Sequence, residues 1–165
     1  MNRTVTTAVI AVSQLALVGV GVAPQLSARL AGDTYLMNVA PIDPLDPFRG
    51  AYVALDYPDL RHDDSQSFVE PGLGALDDGE SGDVFITLEK RGDVWAAADW
   101  SRERPADGPY LACDDRSWQI RCGIESWFLP QDEARETERL LQDGAVAEIE
   151  VDSRGNAAVV DVRAP

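Results

Sequence analysis

The chain has 165 residues, 29 of them acidic against 14 basic, for a net charge of −15, and 45% of it is hydrophobic, with 4 Trp, 4 Tyr and 4 Phe. This composition suits one globular domain with a short appendage and excludes a disordered chain. Its negative field repels phosphate backbones and anionic headgroups, which excludes nucleic acid as a partner.

Residues 5–23 carry no charge, and a helix of about 20 mostly apolar residues crosses a bilayer core. Val9, Ile10, Val12, Leu15, Leu17, Val18, Val20 and Val22 supply the hydrophobicity, while Thr6, Thr7, Ser13 and Gln14 dilute it. Pro24 predicts an end or a kink directly afterwards. Three readings compete. The first, and the favoured one, is a signal anchor that holds the rest of the chain outside the cytoplasm. The second is a cleaved signal peptide ending in the small residues Gly21-Val22-Ala23, against which Pro24 stands just past the cut. The third is a buried helix of a soluble domain, which would need a polar face that the segment lacks. Arg3 favours a cytoplasmic N-terminus, and Arg29 on the other flank blunts that bias. Residues 1–32 are therefore read as anchor and juxtamembrane linker, and 33–165 as an extracytoplasmic β-rich domain.

Residues 35–40 read as a strand, and the prolines at 41, 44 and 47 make the following stretch a stiff extended loop. Residues 51–57 are a second strand, with Val53, Leu55 and Tyr57 on one face and Tyr52, Ala54 and Asp56 on the other. Residues 59–82, rich in Asp, Ser, Gly and Glu, read as a surface loop with a short strand near Phe68-Val69. Residues 83–89 and 94–100 form a hairpin, in whose turn Arg91-Gly92-Asp93 is a product of turn chemistry rather than an adhesion signal. Residues 109–113 and 118–129 are expected to pair, with Trp118, Ile120, Cys122, Ile124 and Phe128 on one apolar face. Residues 131–142 predict a helix with an inner stripe of Ala134, Thr137 and Leu141, stopped by Gly144. Residues 145–151 and 157–163 form a last hairpin. Seven or eight short strands with one short helix predict a mainly β fold, a small antiparallel barrel or sandwich preceded by a single transmembrane helix.

Residues 50–57, GAYVALDY, resemble the motif that names the GDYXXLXY family of membrane-anchored bacterial proteins. Gly50, Tyr52, Leu55 and Tyr57 match its fixed positions, and Ala51 stands where the family has Asp. Residues 41–49, PIDPLDPFR, resemble the family's approach to the motif. Residues 121–130, RCGIESWFLP, resemble its "RYGIESYFVPE" block, with Cys122 at a position where an aromatic is common, and residues 151–156 resemble its last hairpin. The resemblance runs through nearly the whole chain. It implies an anchored domain of unknown biochemical role, a multi-pass membrane protein as candidate partner, and no catalytic residue to carry over. A packing role accounts for the motif physically: Gly50 turns the chain, Leu55 packs inward, and the two tyrosines fall on opposite faces. An Asp at position 51 would accept turn amides, which Ala51 cannot do.

Cys113 and Cys122 fall on neighbouring predicted strands and are a candidate disulfide in an exported domain; two buried free thiols are the alternative. His62, the sole histidine, sits beside acids near Ser65 and Ser67, but no nucleophile elbow surrounds either serine. The acidic run 77–83 lacks the spacing of a helix–loop–helix calcium site. No metal site, cofactor motif or catalytic constellation is expected. The resulting expectation is a non-enzymatic accessory or interaction domain bound to a membrane protein. A small-ligand-binding β-barrel module and a hydrolase centred on His62 are the alternatives.

Overall fold

In the computed structural model of the protein, residues 3–41, 52–61, 76, 79–117, 120–130, 133, 137, 139–141 and 144–165 are described. The chain opens as one helix, α1 (Arg3–Ala31), which at 1.5 Å per residue is about 44 Å long. It is long and apolar enough to cross a membrane, and the protein buries none of its most apolar window. Thr7 Oγ1 donates to the Arg3 carbonyl and Ser13 Oγ to that of Val9, so these hydroxyls in the apolar run bond within their own helix. Of the end or kink expected at Pro24, the end does not occur: the helix runs on to Ala31. Proline removes one backbone donor and crowds the preceding turn, but the residues that follow it are held from outside by the domain.

Among the described residues eight strands make two antiparallel sheets, packed as a sandwich rather than a closed barrel. Five strands, β1 (Asp33–Pro41), β2 (Tyr52–Asp56), β6 (Ser126–Phe128), β7 (Ala145–Val151) and β8 (Ala157–Arg163), lie in the order β6-β2-β1-β7-β8. The other three, β3 (Asp83–Arg91), β4 (Val94–Ser101) and β5 (Tyr110–Asp114), lie in the order β4-β3-β5. Alternation sets the inward faces. Met37 and Val39 of β1, Val53 and Leu55 of β2, Val84, Ile86 and Leu88 of β3, Leu111 and Cys113 of β5, and Ala147 and Ile149 of β7 share one buried core. Tyr35 of β1 meets Trp95 of β4 edge to face at 5.0 Å, joining the sheets at one end.

Residues 109–113 and 118–129 do not form the expected strand pair. β5 pairs with β3, and β6 joins the other sheet through Tyr52↔Phe128, Val53↔Trp127 and Ala54↔Ser126. Between them, among the described residues, a single bridge, Asp114↔Arg121, remains. Gly123, at φ +84°, breaks the extended run, because that backbone region suits glycine. Ile120, Cys122 and Ile124 stay buried, but Phe128 lies past the break and is 78% exposed rather than on their apolar face. Glu133, Thr137 and residues 139–141 are helical, Leu141 is buried, and the Gly144 amide at φ +92° donates to the Leu141 carbonyl. Ala134, Trp118 and the expected strand at Phe68-Val69 lie outside the described residues.

Candidate functional site

The last two turns of α1 are welded to the sandwich. Ser27 Oγ donates to Asp152 Oδ2 at 2.5 Å, Arg29 to the Val159 carbonyl at 2.9 Å, and Gln25 to the Gly123 carbonyl at 3.5 Å. Ala28 is fully buried beneath them. Gly32 then turns the chain into β1. Its amide bonds to the Ala28 carbonyl, and a Cβ there would come within 2.9 Å of the Val151 amide nitrogen and closer still to the Ala28 oxygen. Glycine is required by this close approach of two backbones.

Asp152 organises the β7–β8 turn on which the helix rests. Beyond Ser27 it accepts the amides of Arg154 and Asn156 and the Asn156 side chain. Burial pushes its carboxyl up, but these hydrogen bonds together hold it below the ordinary carboxylate range. On its far side the turn is clamped to the second sheet. The Ala112 amide donates to the Gly155 carbonyl at 2.9 Å, and Tyr110 to the Ser153 carbonyl at 3.2 Å.

The family-like motif meets the 121–130 block directly. Gly50 and Ala51 lie outside the described residues, and Tyr52 contributes its backbone pairing with Phe128. Leu55 and Tyr57 are buried, the Leu55 amide donates to the Glu125 carbonyl, and Tyr57 OH donates to the Ile124 carbonyl at 2.9 Å. Glu125 in turn accepts the amides of Cys122 and Gly123. Burial, with Glu125 nearby, pushes the Tyr57 phenol well above its ordinary value. Asp56 is buried on the opposite face and pairs with Arg61 at 2.5 Å. Cys113 and Cys122 are joined by a disulfide, which ties β5 of one sheet to the segment that leads into β6 of the other. These residues are occupied with one another: the motif braces the loop that carries Gly123, and Gly123 receives Gln25 of the helix.

Although β6 and β8 are opposite edges of the five-stranded sheet, the sheet curls until they border the same clefts. One cleft, about 200 Å³, lies between Gln25 and Arg29 of α1, residues 126–128 and residues 158–160. The other, about 510 Å³, is lined by Trp127, Leu129, Leu140 and Val162 with Glu133, Arg139 and Asp161 at its rim. Trp127 divides them, its buried Nε1 without a hydrogen-bond partner among the described residues. No group of three or more potential metal ligands occurs among the described residues. His62 and the acids at 77 and 78 lie outside them. Asp115 is buried against Arg102 at 2.7 Å and accepts the Gly82 amide at 2.6 Å, an arrangement that pins the two ends of neighbouring loops.

Sequence reasoning overlooked Ser27, Asp152 and Trp127. Asp152 carried a signal, an Asp followed by Ser-Arg-Gly-Asn, which suits a carboxylate capping its own turn. Ser27 and Trp127 carried none, because their partners are distant in sequence.

Comparison with known proteins found no match to the chain among curated proteins or among solved structures. One family model, described as GDYXXLXY protein, matches residues 14–162. That span takes in part of the apolar helix, its foot, the motif strand, the 121–130 block and the turn around Asp152, so the parts that meet at the joint fall within one family pattern. The chain belongs to the GDYXXLXY protein family.

Proposed function

We propose that α1 crosses a membrane once as a signal anchor and holds the sandwich outside the cytoplasm. There the sandwich acts as a non-enzymatic accessory domain for a multi-pass membrane protein. The observation that carries this reading is the joint. An apolar helix, exposed along most of its length, is fixed at its foot by Ser27, Ala28, Arg29 and Gly32. A tether that merely retains a domain near a membrane needs no such joint, whereas a domain that presents one face to a neighbour in the same bilayer does. The disulfide supports an oxidising compartment.

Crosslinking in intact membranes followed by purification of the full chain from detergent tests the partnership. A stoichiometric multi-pass protein is expected, and recovery of the chain alone overturns it. Protease added to spheroplasts should digest the domain; full protection there, with digestion once detergent opens the membrane, refutes the extracytoplasmic side. A second reading, a small-ligand module, is favoured by the cleft of about 510 Å³ beside Trp127, a size within the usual ligand range. A panel of small apolar and amphipathic compounds that leaves the melting temperature unmoved would count against it.

A further inference from the structure

Large apolar side chains are exposed in only a few places beyond the uncharged run of α1. Among the described residues they are Leu26, Leu30 and Phe128. All three belong to the foot. Leu26 and Leu30 continue, at four-residue spacing, the row of Val18 and Val22. Phe128 lines the same small cleft as Gln25 and Arg29, the residues that immediately precede Leu26 and Leu30. Because the joint is fixed, the height of Phe128 above the bilayer follows from the helix. Gln25 to Arg29 lie about 3–9 Å past residue 23 along the axis, the depth at which aromatic residues gather at membrane interfaces.

We infer that Leu26, Leu30 and Phe128 form a second membrane contact, so that the sandwich sits flush on the bilayer with Phe128 in the headgroup–acyl boundary. The occupant of this patch is zwitterionic phospholipid. The apolar row is continuous with the lipid-facing surface of α1, and a chain of net charge −15 repels anionic headgroups. Arg29, at this level of the helix, donates to the Val159 carbonyl, so its charge is bonded to the sandwich. The inference rests on the reading of α1 as a membrane span.

The two cysteines are bonded to each other, so the full-length Phe128→Cys variant carries one free thiol for an environment-sensitive fluorophore. The labelled protein is placed in phosphatidylcholine nanodiscs. Co-elution with lipid tests the span by itself; if the protein elutes free of lipid, that reading fails and this one with it. In the lipid-bound fraction, blue-shifted emission is expected, with loss of emission when the lipid carries a spin label near the headgroup and little loss to iodide. Quenching by iodide without quenching by lipid overturns the inference while leaving the span intact. Protection from both quenchers also overturns it, since another protein surface would then cover the site. Ser126→Cys, on the same exposed face of β6 and lining the same cleft, read in the same way, decides the matter if Phe128→Cys does not fold.

Discussion

Asp152 concentrates the logic of the joint in one side chain. It accepts hydrogen bonds from the helix through Ser27 and from its own turn through Arg154 and Asn156. Asp152→Ala strands several partly buried donors, and chemical denaturation should register a loss of about 1–3 kcal/mol. Because the folded carboxyl titrates below its unfolded value, its contribution is complete above about pH 4 and disappears as pH falls further. Acid denaturation of the wild type should therefore begin with release of the foot, visible as faster amide exchange at residues 25–32, and the Asp152→Ala protein should lack that step. Tyr57 behaves in the opposite sense. Its phenol titrates above its unfolded value, so its contribution is complete below about pH 10 and is lost as pH rises beyond that. Tyr57→Phe removes the bond to the Ile124 carbonyl and should cost about 1–2 kcal/mol at neutral pH. The variant should also lose stability less steeply in alkali, which a denaturation series across pH would reveal.

At the scale of elements, most of the strands were legible because one face of each is buried and the alternation is written in side-chain type. Val84, Ile86 and Leu88 define β3 in this way, and Val53 and Leu55, with Tyr57 just past its end, define the inner face of β2. The segment 118–129 misled because apolar residues at alternate positions look the same whether a strand continues or breaks. Gly123 and the Glu125 carboxylate that accepts its amide decide for a break, and the residues after it change sheets. The passage of α1 through Pro24 has a similar cause. Local propensity favours an end there, and tertiary contacts at Gln25, Ser27 and Arg29 overrule it. Gly32 is the hinge between helix and sheet. Gly32→Ala forces the helix foot away from Val151 and should destabilise by about 1–3 kcal/mol. The far strands would stay folded, so amide exchange should rise at residues 25–35 and remain unchanged in β3 and β4.

For the whole molecule the disulfide has a particular place, since it joins β5 of one sheet to the segment that leads into β6 of the other rather than two strands of one hairpin. Its closed loop is short, and the chain-entropy account gives about 2–3 kcal/mol for such a bond. Denaturation with and without reductant should show that difference. The transition should also broaden in reductant as the sheets lose their covalent tie. The same connection keeps β6 near β2, which orients Trp127 and Phe128 toward the helix side of the molecule.

The sequence by itself determined the apolar helix, the β-rich character, the last hairpin and the family, because hydrophobic period, turn chemistry and motif spacing are local properties of the chain. It also held the two cysteines and the motif residues Leu55 and Tyr57, but not what they brace. The tertiary structure alone decided that the helix foot is fixed to the Asp152 turn, that β6 joins the larger sheet, and that Phe128 emerges beside the helix. Each of these depends on contacts between residues roughly a hundred positions apart, or on a strand choosing between two partners. Such contacts are set by which arrangement buries the core and satisfies the backbone together, a condition that no single segment carries.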